Sequence, residues 1–165
     1  MKKILYVILD GLGDRPSPAL GGQTPLEAAA TPHLDRLADE GRQGTVITVG
    51  QDVAPESDVA VLAILGYDPR RYHAGRGPLE AVGAGLPFHD GDLALRGNFA
   101  TVGEGWTITD RRVGRNLTSE EARALADAVT AAMRLEGARV VVKASIGHRC
   151  AVVFYPEEGR LSAQI

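Results

Sequence analysis

The stretch that most limits the fold is Ile4-Leu-Tyr-Val-Ile-Leu9, an unbroken apolar run that stops abruptly at Asp10-Gly-Leu-Gly-Asp14. No polar residue alternates within it, so neither face is suited to water. Such a run fits a strand covered on both sides, as in a parallel sheet between layers of helices. Ligands of such sheets gather beyond the carboxyl ends of the strands, where Asp10 is expected to stand. A carboxylate there can bind a divalent cation. Equally, Asp-Gly is a strong turn signal, and Asp10 can simply close the strand. The turn carries neither Gly-x-Gly-x-x-Gly nor a Walker A pattern, which excludes both common nucleotide-binding turns.

A second anchor is Ser57, in Pro55-Glu-Ser-Asp-Val-Ala-Val-Leu-Ala-Ile-Leu-Gly66. Pro55 fits at or before a first helical turn, and Gly66 fits the end of a helix. Ser57 is therefore expected at the amino end of a short buried helix, where free N–H groups favour an anion such as phosphate. The competing reading is a serine that only caps the helix, and Asp58 beside it is open to the same reading. Between the two anchors, Thr31 to Gly41 reads as a complete helix with Thr31 as N-cap and Pro32 in its first position. His33 in its first turn is expected to face solvent. Residues 43–49 read as a second strand, which gives the opening of a doubly wound sheet.

Residues 66–92 are dense in glycine and proline, and little regular structure is expected there. Arg76 stands between two glycines, which suits either a phosphate or carboxylate clamp or a plain surface turn. His73 and His89 receive no role. From residue 93 a second unit is expected. Leu93–Thr101 and Trp106–Thr109 read as strands, and Thr118-Ser-Glu-Glu121 is a capping box opening a long helix. Ala122, Leu125, Ala126, Val129, Ala132 and Met133 share one face of that helix. Val140–Ala144 and Cys150–Tyr155 follow as strands, joined through Ser145-Ile-Gly-His-Arg149. Asp110-Arg-Arg-Val-Gly-Arg115 and His148-Arg149 concentrate positive charge, and arginine grips phosphate and carboxylate bidentately. A charged loop without a ligand is the alternative.

Composition narrows the class. Of 165 residues, 44% are hydrophobic, and the net charge of −3 gives no reason to expect a nucleic-acid or anionic-membrane partner. The single Cys150 rules out an internal disulfide framework and suits a reducing cytoplasm. No apolar run approaches the ~20 residues of a membrane-spanning helix, so a cytoplasmic location is expected.

Seven blocks then carry a resemblance: Asp10-Gly-x-Gly-Asp-Arg-Pro, Gly21-Gly-Gln-Thr-Pro-Leu-Glu-Ala-Ala, Thr31-Pro-His-Leu-Asp-Arg-Leu-Ala, Pro55-Glu-Ser-Asp-Val-Ala, Leu65-Gly-Tyr-Asp-Pro69, Gly75-Arg-Gly-Pro-Leu-Glu-Ala81 and Asn98-Phe-Ala-Thr101. In this order they resemble the archaeal-type, 2,3-bisphosphoglycerate-independent phosphoglycerate mutases of the alkaline phosphatase superfamily. The resemblance implies an α/β fold: the N-terminal part of an alkaline-phosphatase-like doubly wound sheet in residues 1–85, then part of an α+β inserted substrate domain in 86–165. It implies interconversion of 3- and 2-phosphoglycerate through a phosphoserine on Ser57. It also implies two divalent ions (Mn, Mg, Co or Zn), with Asp10 and Ser57 as ligands. Arg76, Asp110, Arg111, Arg112, Arg115, His148 and Arg149 are then the expected substrate contacts. A phosphatase or phosphodiesterase of the same superfamily, and a non-catalytic phosphoglycerate-binding protein, are the alternatives.

The sequence departs from the family in one respect. The superfamily's metal site draws further Asp and His ligands from a C-terminal half, and none is found before Ile165. The chain is therefore expected to be an N-terminal portion of an enzyme, or a shortened paralogue, and to be inactive alone. Unpaired strand edges are expected to favour self-association.

Overall fold

The computed structural model describes residues 2–163. The chain divides into two compact units, Met1–Ile47 and Thr48–Ile165. The structure is mixed α/β with antiparallel sheets.

The first unit is helical. A short helix α1 (Pro25–Ala28) opens on a capping box in which Thr24 and Glu27 satisfy each other's backbone N–H groups. Helix α2 (Pro32–Glu40) has Thr31 as N-cap, proline in its first turn and Gly41 as C-cap, as the sequence predicts. Thr31 spends its hydroxyl on the Asp35 carboxylate at 2.8 Å rather than on the backbone. The two expected strands do not form: residues 4–9 and 43–49 are extended or irregular. Ile4 is 92% and Leu5 88% exposed. A strand needs a hydrogen-bonded neighbour, and among the described residues none pairs with either segment.

The second unit is a sheet between two helices. Helix α3 (Ser57–Ile64) starts at Ser57 with Glu56 as N-cap. It ends in a Schellman arrangement, the Gly66 N–H on the Ala63 carbonyl and the Tyr67 N–H on that of Leu62. No residue of α3 is fully buried, contrary to the expected buried helix. Nor is the glycine- and proline-rich stretch irregular. It holds α4 (Pro69–Tyr72), capped by the Asp68 side chain, and α5 (Arg76–Gly83). Pro69 and Pro78 sit in first turns, where a missing N–H costs nothing. Gly75 and Gly85 take positive φ just outside α5. Punctuation marked the helix ends, not an absence of helices.

Strand β1 (Leu93–Asn98) is followed by a two-stranded hairpin, β2 (Thr101–Val102) and β3 (Ile108–Asp110). The expected strand over 93–101 thus breaks at Phe99, whose N–H turns to the His148 carbonyl at 2.7 Å. Helix α6 (Ser119–Ala132) carries the predicted Thr118–Glu121 capping box. Strands β4 (Ala138–Ala144) and β5 (Arg149–Pro156) complete a three-stranded antiparallel sheet of order β1-β5-β4.

The two-residue period of β5 assigns its sides. Ala151 and Val153 pack with Ala81 of α5 and Ala94, while Cys150 and Val152 pack with Ala126 of α6 and Val142. So α5 covers one face of the sheet and α6 the other. At the β4 edge, the Thr130 hydroxyl donates to the Val142 carbonyl (3.1 Å) and accepts its N–H (2.8 Å), which closes an edge that would otherwise invite pairing. On the opposite face, α5 touches β1 so closely that a Cβ on Gly77 would stand 1.9 Å from the Ala94 carbonyl oxygen. Only glycine allows that approach.

Candidate active site

Three segments of the second unit converge on one basic cavity. Strand β1 sends in Arg96 and Asn98. The loop after β3 contributes Arg111, Arg112 and Arg115, and the β4–β5 turn contributes His148 and Arg149. With Arg76 from the start of α5, these residues line a cavity of about 450 Å³ that no carboxylate borders. A second cavity of about 350 Å³ is bordered by Ser57, Asp58, Leu79, Glu80 and four of the same arginines, Arg76, Arg96, Arg112 and Arg149. Ser57 is exposed at this second opening.

The loop after β3 is held by Asp110. Its carboxylate accepts the N–H groups of Arg112 (2.8 Å) and Gly114 (2.6 Å), which holds its pKa below the usual aspartate value. Val113 and Arg115 adopt φ of 50° and 58° in this loop. A β-branched residue at positive φ is strained, and strain of this kind persists where the surroundings over-determine it. Asp110 therefore builds the arginine loop from behind and does not line the basic cavity.

The electrostatics are one-sided. The Arg112 pKa is lowered, first by Arg115 and then by Arg111. His148 is pulled below its usual value by desolvation, then by Arg149, Arg112, Arg115 and Arg96. Arg96 has a buried Nε–H with no hydrogen-bond partner. An orphaned buried donor is costly, and here it belongs to a side chain that borders both cavities.

Arg76 differs from the other five arginines. It pairs with Glu56 at 2.9 Å and Asp58 at 3.2 Å. Asp58 also accepts from His73 Nε2 at 2.6 Å. Burial pushes the Asp58 carboxyl up, but the hydrogen bonds from His73, Arg76 and the backbone outweigh it, and its pKa ends below the ordinary value. Glu80 accepts a hydrogen bond from the Ser145 hydroxyl, which ties α5 to the turn carrying His148 and Arg149.

Of the residues singled out from sequence, Ser57, Arg76, Arg111, Arg112, Arg115, His148 and Arg149 come together, and Asp110 supports them. Arg96 and Asn98 were missed. The available signal was a charged residue inside the otherwise apolar run Leu93-Ala-Leu-Arg96. His33 is exposed as expected, and His89 binds Asp92 locally through its N–H at 2.8 Å. Asp10 lies in the first unit, exposed in a turn with Gly11 at φ 70°. Among the described residues no group of three or more His, Cys, Asp or Glu is placed to hold a metal ion. A divalent ion takes about four to six donors, more than Asp10 and Ser57 supply.

Comparison with known proteins follows the same lines. Residues 38–165 match the family model described as 2,3-bisphosphoglycerate-independent phosphoglycerate mutase. The chain is 49% identical to the protein of that name from Aeropyrum pernix, over 99% of this chain and 38% of the relative. It is 46% identical to a probable member from Thermus thermophilus, over 94% of this chain and 38% of the relative. Its backbone resembles the solved PH0037 protein of Pyrococcus horikoshii with a TM-score of 0.68 and 37% identity, covering 89% of this chain and 35% of that one. The chain thus spans little more than a third of the length of these relatives.

Proposed function

The chain belongs to the family of 2,3-bisphosphoglycerate-independent phosphoglycerate mutases, and from that premise we propose that it carries the phosphoacceptor serine and the substrate-holding arginines of such an enzyme. The observation that carries this reading is the cavity shared by Ser57 and Arg76, Arg96, Arg112 and Arg149. The reaction is an exchange of oxygens on one phosphorus. Ser57 Oγ loses its proton and bonds to the phosphorus of 3-phosphoglycerate, the O3–P bond breaks, and O3 takes up a proton. The glycerate turns while still held. Its 2-hydroxyl then loses a proton and bonds to the phosphorus, the Oγ–P bond breaks, and Oγ recovers a proton.

Arginines beside Ser57 neutralise charge spread over the phosphoryl oxygens. Arg111, Arg115 and His148, in the adjoining cavity, suit the carboxylate and hydroxyls of the glycerate. Holding the glycerate between the two steps is what separates a mutase from a phosphatase. The divalent ions that the resemblance implies (Mn, Mg, Co or Zn) find too few donors among the described residues, and the chemistry of this chain is that of its own side chains.

In the same reading, residues 4–9 and 43–49 are strands of a doubly wound sheet completed by segments that the longer relatives carry. Their exposed apolar side chains support this. Residues 1–85 then belong to that core and 86–165 to an inserted domain. The substrate is a small phosphorylated acid, with no nucleic acid or membrane partner, in the cytoplasm.

Isothermal titration of the chain with 3-phosphoglycerate and with glycerol 3-phosphate tests the proposal. Tighter binding of the acid is expected, because the carboxylate adds a second charged group for the arginines. Equal affinity, or none, sinks the reading. The chain alone is expected to show no mutase turnover, and turnover by it contradicts the part played by the missing donors.

A further inference from the structure

We infer that Arg76 is a positioning residue for Ser57: its guanidinium spans the two carboxylates on either side of the serine, and substrate recognition falls to the unpaired arginines opposite. The inference rests on the reading of Ser57 as phosphoryl acceptor. Glu56 and Asp58 are the immediate neighbours of Ser57 in the chain. Arg76 reaches Glu56 Oε2 through Nη2 (2.9 Å) and Asp58 Oδ1 through Nε (3.2 Å). A guanidinium can do this because its donors lie on different nitrogens of a rigid plane. The second oxygen of Asp58 is taken by His73, so the first turn of α3 is tied from two directions.

The anchor is itself rigid. Arg76 opens α5, and Gly77, the next residue, is pressed against the Ala94 carbonyl with no room for a Cβ. The clamp is thus referred to the sheet. It also has an electrostatic consequence. Two carboxylates beside a serine oppose the arrival of a phosphate dianion, and a cation bound to both cancels much of that opposition. The other arginines at the Ser57 cavity (Arg96, Arg112 and Arg149) have no carboxylate within ion-pair distance among the described residues, and so remain free for a ligand.

The test uses the chain itself, with three variants and two readouts. The readouts are the affinity for 3-phosphoglycerate, and the hydrogen exchange of the Ala60 amide, which closes the first turn on the Glu56 carbonyl. In Arg76→Met, Ala60 is expected to exchange about tenfold faster, and affinity to fall, though by less than in Arg112→Met, because the two carboxylates lose their counter-charge. Glu56→Gln, which alters an exposed side chain and not the cavity, is expected to speed Ala60 exchange in the same direction. Arg112→Met is expected to do the reverse, weakening binding about tenfold or more and leaving Ala60 unchanged. Arg76→Met that weakens binding as much as Arg112→Met overturns the inference. So does Ala60 exchange that neither Arg76→Met nor Glu56→Gln alters. If no variant and no parent chain binds phosphoglycerate, the proposed function fails, and the exchange readout still decides the role of Arg76 as a clamp.

Discussion

The two units of the chain contrast in how their apolar residues are satisfied. In the second unit, Ala151 and Val153 of β5 meet α5 while Cys150 and Val152 meet α6, and Thr130 satisfies the outward N–H and carbonyl of Val142 at the β4 edge. In the first unit, Ile4, Leu5 and Val7 are exposed, as are Leu34 and Leu37 of α2. The difference lies in where partners come from. An antiparallel β4–β5 hairpin finds its neighbour within a few residues. The segment 4–9 has no such neighbour among the described residues.

The contrast yields expectations that fall in order of size. Gly77→Ala is expected to cost most, about 3 kcal/mol or more by chemical denaturation, because a methyl group cannot fit against the Ala94 carbonyl. A cost below about 1 kcal/mol breaks the picture of a rigid second unit. Thr130→Val leaves the outward N–H and carbonyl of Val142 without a partner, and is expected to cost about 1–2 kcal/mol. Replacing Ile4 or Leu5 by serine is expected to change stability by less than about 0.5 kcal/mol, since both already face water. A larger loss contradicts the reading of residues 4–9 as unpaired in this chain.

The basic cavity adds a pH dependence to the second unit. The folded pKa of His148 lies below its usual 6.5, so the unfolded chain takes up the proton first. The contribution of this group to stability is therefore present above the unfolded value. It is lost as pH falls through the window between 6.5 and the lower folded pKa. A phosphate held beside it acts oppositely and favours the protonated ring. Titrations in buffers of different ionisation enthalpy are expected to show proton uptake on binding near pH 6.5, and proton release runs against it.

Local signals in the sequence proved sufficient where the interaction is itself local. The Thr118–Glu121 capping box, Pro32 at the start of α2 and the glycine end of α3 each need only a few neighbouring residues. The Asp110–Arg115 loop was legible because its charge is dense. Arg96 was not, since a charged residue in a strand reads as a solvent-facing one until the sheet shows which way it turns. The pairing of Arg76 with both neighbours of Ser57 was equally hidden, because it depends on α5 and α3 meeting in space. The run 4–9 reads as a strand covered on both faces, yet its side chains are exposed, because periodicity holds no information on whether a partner is at hand.

The most direct test of a phosphoglycerate site in the second unit is the NMR signal of the Arg96 Nε–H group during titration with 3-phosphoglycerate. That donor is buried without a partner in the free chain. A saturable downfield shift with slowed exchange, lost in Arg112→Met, is the expected result. An Arg96 signal that stays in place while the ligand reaches saturating concentration contradicts the assignment of this cavity to the substrate.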